Sequence, residues 1–190
     1  MSGFEYVMVL FSIIVGLAIT TLIDGFIRAF RRDTDLRPGP IHTLWVVLVF
    51  NYIILFWVAR WELAGIVPEW TPGLVLASLL LPGLLYGLAA LLFPAAGEHV
   101  ALDDYFIENR RVLFGISILL QLATLMSQHL FLGAAETVVN GGLSRLITLM
   151  LIPVYAFLMW TSNRRVHLGV AAVLNLVVLW LYMVPGFFVR

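Results

Sequence analysis

Six apolar stretches follow one another along almost the whole of this chain, and the arginines are sorted to alternate ends of them. A helix that crosses a bilayer needs about 20 mostly apolar residues, because the backbone must satisfy its own hydrogen bonds in hydrocarbon. The stretches that meet this length run over about 4–30, 41–66, 71–93, 111–132, 143–162 and 167–188. The predicted fold class is therefore all-α: a polytopic membrane protein, one transmembrane domain over 1–190, built as a bundle of six transmembrane helices. Between the third and fourth spans, Asp103 and Asp104 precede Tyr105, Phe106 and Ile107, acidic residues placed to favour a helix N-terminus. That pattern predicts a short interfacial helix at about 102–110 running into the fourth span.

Composition agrees. Hydrophobic residues make up 62% of the chain and charged ones 12%, with a mean hydropathy of +1.03. A soluble domain is roughly 45–50% apolar and about 25% charged, so lipid has to solvate much of this surface. The formal net charge is zero, which points away from a nucleic acid partner. With no cysteine, disulfides and thiol chemistry are excluded. The first apolar run has no basic leader and no small-residue cleavage site, and reads as a retained helix.

Arginine placement orients the chain. Arg28, Arg31, Arg32, Arg37, Arg110, Arg111, Arg164 and Arg165 flank the first, third and fifth connections, against Arg60, Arg145 and Arg190 at the opposite ends. The positive-inside rule then predicts both termini outside the cytoplasm, N-out and C-out. Trp45 and Trp160 fall at the inner interface on this frame, and Trp57, Trp61, Trp70 and Trp180 at the outer one.

Polar residues inside the spans are the candidate functional groups. Asn51, Gln121 and Asn175 are expected near the bilayer midplane on three different helices, where such amides either join helices or line a path. On the fourth span Arg110, Ser117, Gln121, Thr124 and Gln128 share one helical face. Arg145, Thr148, Tyr155 and Ser162 do so on the fifth, and Glu5, Ser12, Gly16 and Thr20 more loosely on the first. Such stripes are expected to face protein, within the bundle or across a contact between copies. Glu5, Glu62, Gln128, His129 and Arg145 form a candidate outer vestibule, with Arg60 near by in depth; the alternative is an interfacial salt-bridge network that pins helix ends, with Arg60 reaching lipid phosphates. Asp24 and Arg28, four residues apart, are a candidate inner-interface pair. Gly83-x-x-x-Gly87 permits close helix approach in the third span, and Pro82 and Pro153 interrupt the third and fifth. The likeness of Val9-Leu10-Phe11 to Val112-Leu113-Phe114 is too short to assign an internal repeat.

No metalloprotease, phosphate-loop or nucleophile-elbow motif occurs, and His42, His99, His129 and His167 lack metal-ligand spacing. No catalytic residue, cofactor or metal site is assigned. Leu92-Phe93-Pro94, then Leu102-Asp103-Asp104-Tyr105-Phe106-Ile107-Glu108-Asn109-Arg110-Arg111, and Leu113-Phe114-Gly115 resemble segments of a group of uncharacterised small bacterial membrane proteins. The opening Phe4-Glu5-Tyr6-Val7 is similar to that group as well. The resemblance implies a bacterial inner membrane and carries no activity. The partners expected are the lipid bilayer, further copies of the chain and a small solute or ion. The leading functional expectation is channel- or transporter-like passage of that solute. In this reading Asn51, Gln121 and Asn175 line the centre, and Glu5, Glu62, His129 and Arg145 the outer mouth. The alternative is a non-transporting scaffold or sensor subunit acting through helix–helix assembly, and a third reading is an intramembrane lipid enzyme.

Overall fold

The computed structural model describes residues 3–31, 36–60, 70–95, 100–132 and 140–183, with the side chains of 130–132 and 140–144 left aside. Among the described residues the chain is all-helical, with α1 Gly3–Phe30, α2 Pro40–Ala59, α3 Pro72–Leu91, α4 Leu102–Leu132, α5 Asn140–Trp160 and α6 Arg164–Met183. Five of these are long and apolar enough to cross a membrane, and the described side chains of α5, Arg145–Trp160, make a shorter apolar helix.

The helix starts follow from local chemistry. Pro40 and Pro72 occupy first-turn positions, where a missing N–H is no loss. The Thr71 hydroxyl accepts from Leu74 N at 3.3 Å, capping α3. Asn163 Oδ1 accepts from Arg165 N at 3.0 Å at the start of α6. The short helix expected at 102–110 and the fourth span are one unbroken helix of 31 residues. At 1.5 Å per residue it is about 46 Å long, so it outreaches a hydrocarbon layer of about 30 Å by several turns.

The helices pack in three pairs. α1 lies along α3, α2 along α6 and α4 along α5, while α1–α2, α3–α4 and α2–α4 contacts join the pairs. α2 and α4 thus form the middle, with α1 and α3 on one side and α6 and α5 on the other. The two halves of the chain pair their helices differently, α1 with α3 but α4 with α5. The surface turned away from these contacts is apolar, with Ile13, Leu17, Leu76, Met150, Leu176 and Met183 exposed. A face of this kind is at home in lipid and not in water.

Three turns meet at one end of the bundle. Arg37 N donates to Val100 O at 3.1 Å and Leu102 N to Arg37 O at 2.9 Å, pairing the α1–α2 turn with the α3–α4 turn. Asp103 Oδ1 accepts from His42 N at 2.8 Å, so an aspartate of α4 caps the first turn of α2. Gly39 is required there, because a Cβ would overlap the Asp103 carboxylate. The buried His42 ring donates from Nε2 to Leu92 O at 2.8 Å, at the end of α3. Arg164 and Asp104 form an ion pair that ties the α5–α6 turn to the same point. α1, α3 and α5 therefore run towards this three-turn end, and α2, α4 and α6 run away from it.

Candidate functional site

The polar groups collect along two seams of α2. On the α4 side, contacts recur in parallel register. Trp45 meets Phe114 edge-on with centroids 5.0 Å apart, Tyr52 hydrogen-bonds the side chains of Thr124 and Gln121, and Arg60 donates to Ser127 Oγ at 3.1 Å. The Thr124 hydroxyl proton is committed to Leu120 O at 2.8 Å. Gln121 is 2% exposed, and Ser117, one turn away, is also buried, donating to Leu113 O at 2.9 Å. Thr148 is buried on α5, and Arg110 and Gln128 are half-buried at either end of the α4 stripe.

On the α6 side, Asn175 Nδ2 donates to Leu44 O at 3.1 Å and to Ala171 O at 2.8 Å. The Tyr182 hydroxyl donates to Asn51 Oδ1 at 3.2 Å, and Asn51 Nδ2 to Val47 O at 2.9 Å. The two clasps sit seven residues apart on each helix, which is the spacing that keeps a parallel pair in contact.

These placements redraw the expected site. The three amides do not share one central line: Gln121 lies in the α2–α4 seam, Asn51 and Asn175 in the α2–α6 seam. The direction in which each helix turns its amide depends on its neighbours. The outer group is divided in the same way. Gln128, His129 and Arg145 belong to the α4–α5 pair, with His129 exposed, whereas Glu5 is exposed on α1 in the opposite layer. Glu62 lies outside the described residues. Arg60 does not turn to lipid: it crosses to α4 with its guanidinium 4.5 Å from the Phe56 ring centroid, as a cation over an aromatic face. The α1 stripe is exposed, with only Ser12 met by a neighbouring helix. Thr20 Oγ donates to Gly16 O at 2.8 Å, and Ser12 Oγ accepts from Trp57 Nε1 at 3.4 Å. Gly83 and Gly87 also look outward, for a Cβ on either would meet nothing within 4 Å. Arg28 Nε donates to Asp24 Oδ2 at 3.1 Å, on the exposed side of α1.

Near the three-turn end an aromatic cluster closes the seam between α2, α4, α5 and α6. Trp45 stacks on Phe106 at 5.7 Å, Phe114 on Tyr155 at 5.9 Å, and His167 on Phe114 at 5.6 Å, with His167 edge-on to Phe106 at 5.9 Å. Trp45, which the sequence sets at the inner interface, is 4% exposed, and His167 is 0% exposed. The signal available was the four-residue spacing of Phe106, Arg110 and Phe114, which sets two rings and a guanidinium on one face of α4. Among the described residues no group of three or more His, Asp or Glu is placed to hold a metal ion. Searches against protein-family models, curated proteins and solved structures find no match to this chain.

Proposed function

We propose that this chain is a six-span protein of a bacterial inner membrane, with the three-turn end in the cytoplasm and both termini outside. Its function is that of a non-transporting subunit, a scaffold or sensor that self-associates. The eight arginines that flank the first, third and fifth connections in the sequence support the orientation, and the alternating run of the helices supports six crossings. One observation carries the functional reading. The amides at depth are engaged by neighbouring helices, with both Asn175 N–H groups committed to backbone carbonyls and Gln121 to Tyr52. Groups held this way join helices, and a permeating solute would have to displace them.

The second reading, passage of a small polar solute or ion, draws on the α4 stripe, which keeps polar groups turned inward along most of the helix. Reconstitution separates the two. Liposomes carrying the purified protein stay tight to small ions and polar solutes if it is a scaffold or sensor, and Gln121→Leu lowers thermal stability. Solute flux that Gln121→Leu abolishes would establish passage instead.

A further inference from the structure

We propose that the aromatic cluster at the three-turn end is a binding site for an oxyanion that carries an exchangeable proton, of the phosphomonoester type. The site is independent of whether the protein transports anything. Three buried polar atoms in or beside it have no hydrogen-bond partner among the described residues: Trp45 Nε1, His167 Nδ1 and Arg110 Nε, the Arg110 Nη1 donating to Ile107 O at 2.7 Å. Trp45 and His167 each touch both Phe106 and Phe114. Both therefore stand at the level of Arg110, one turn from either phenylalanine on the same face of α4. The Arg110 guanidinium acts electrostatically on the His167 ring.

The hydrogen inventory defines what fits. His167 Nε2 is bonded to Thr161 O at 2.9 Å. A carbonyl only accepts, so Nε2 carries the hydrogen and Nδ1 of the neutral ring presents a lone pair. Trp45 and Arg110 present N–H donors. A ligand that satisfies all three accepts twice and donates once. Water can do so, but it does not answer the positive charge of Arg110. A carboxylate accepts without donating. A phosphomonoester does both: its second pKa of about 6 leaves a proton on part of the population near neutrality, and its remaining oxygens accept. Buried donors left without partners are uncommon and destabilising, so ligation is expected to stabilise the fold.

The same chemistry is available from inorganic phosphate in solution or from a phosphomonoester lipid headgroup in the adjoining leaflet. Melting of the purified full-length chain in phosphatidylcholine nanodiscs, followed by intrinsic tryptophan fluorescence, tests the proposal. The probes are inorganic phosphate, phosphatidic acid mixed into the disc, and phosphatidylglycerol as an anionic diester control. Phosphate or phosphatidic acid raises the melting temperature and phosphatidylglycerol does not. A response to phosphatidic acid alone assigns the site to lipid, and a response to phosphate assigns it to a soluble ligand. Trp45→Phe keeps the ring but removes the N–H, and Arg110→Met removes the charge. Each weakens the apparent affinity about tenfold, as loss of one charge-assisted hydrogen bond implies. Melting in pure phosphatidylcholine shows whether each variant folds, and a single folded variant suffices. No shift with either phosphomonoester probe, an equal shift with phosphatidylglycerol, or a folded variant with the full wild-type response overturns the proposal.

Discussion

Gly25 and Gly83 are the same residue type on neighbouring helices, yet they make opposite demands. A Cβ at position 25 would drive into the ring of Phe93, which packs across α1, while one at position 83 would meet nothing within 4 Å. Gly25→Ala should destabilise by about 1–3 kcal/mol, the usual penalty for overpacking a filled site. Gly83→Ala should be neutral or slightly stabilising, since alanine is the better helix former by up to about 1 kcal/mol. Thermal unfolding in detergent, followed by tryptophan fluorescence, checks both. The two aspartates at the start of α4 divide similarly. Asp103 caps α2 through His42 N, and Asp103→Ala should lower stability by about 1 kcal/mol in the same assay. Asp104 pairs with Arg164 where both side chains are about half exposed, and screening reduces such pairs to about 0–1 kcal/mol. Asp104→Ala should therefore change the melting point less than Asp103→Ala.

Between elements, α6 depends on α2. Asn175 and Tyr182 are its polar clasps, and beyond the exposed Arg164 and Arg165 its outward face is apolar, with Val173, Leu176 and Trp180 exposed. Asn175→Leu removes both side-chain bonds to carbonyls and should raise amide hydrogen exchange in α6 more than in α1 or α3. Mass-spectrometric exchange in nanodiscs reads this out directly, and equal change in all helices would mean that Asn175 holds nothing in particular. In the α2–α4 seam, a double-mutant cycle of Tyr52→Phe and Gln121→Leu should show coupling of about 0.6 kcal/mol, the average for hydrogen bonds between membrane helices. The helices themselves were legible in the sequence, because length and apolarity are read residue by residue. Their rotation was not. Tyr52, Ser127 and Arg60 gave no sign of being one network, since each looks ordinary until α2 and α4 are laid side by side in parallel register. The α4 stripe was readable because a helical period repeated five times on one element. The α1 stripe looked similar, yet Glu5, Ser12, Gly16 and Thr20 are all exposed, Thr20 is satisfied on its own helix and only Ser12 is met by another helix, so periodicity alone does not say what a face meets.

At the scale of the whole molecule, arginine sorting and the convergence of three turns tell one story about direction. Reporter fusions at the carboxyl end and in the α3–α4 turn should give opposite sides, with the carboxyl end outside. A carboxyl end in the cytosol would reverse the proposed orientation. The candidate site was less legible than the bundle. Sequence reasoning located polar residues by depth and so gathered Asn51, Gln121 and Asn175 into one centre. The packing instead separates them into two seams and buries Trp45, which the sequence set at the inner interface, together with His42 and His167. What decides this is the order in which helices neighbour one another, and a single sequence does not carry that order. The tie among the three turns draws on residues far apart in the chain: Arg37 and His42 come early, Asp103 and Asp104 follow much later, and Arg164 comes near the end. During synthesis, then, the first hairpins enter the bilayer before anything exists to fasten them. Until translation has passed Asp103, the start of α2 is uncapped by its eventual partner, and until Arg164 emerges the last hairpin is unmoored. A ribosome that stalls before Asp103 would release a chain whose first helices have none of these ties, and one that stalls before Arg164 a chain fastened at the first two turns alone.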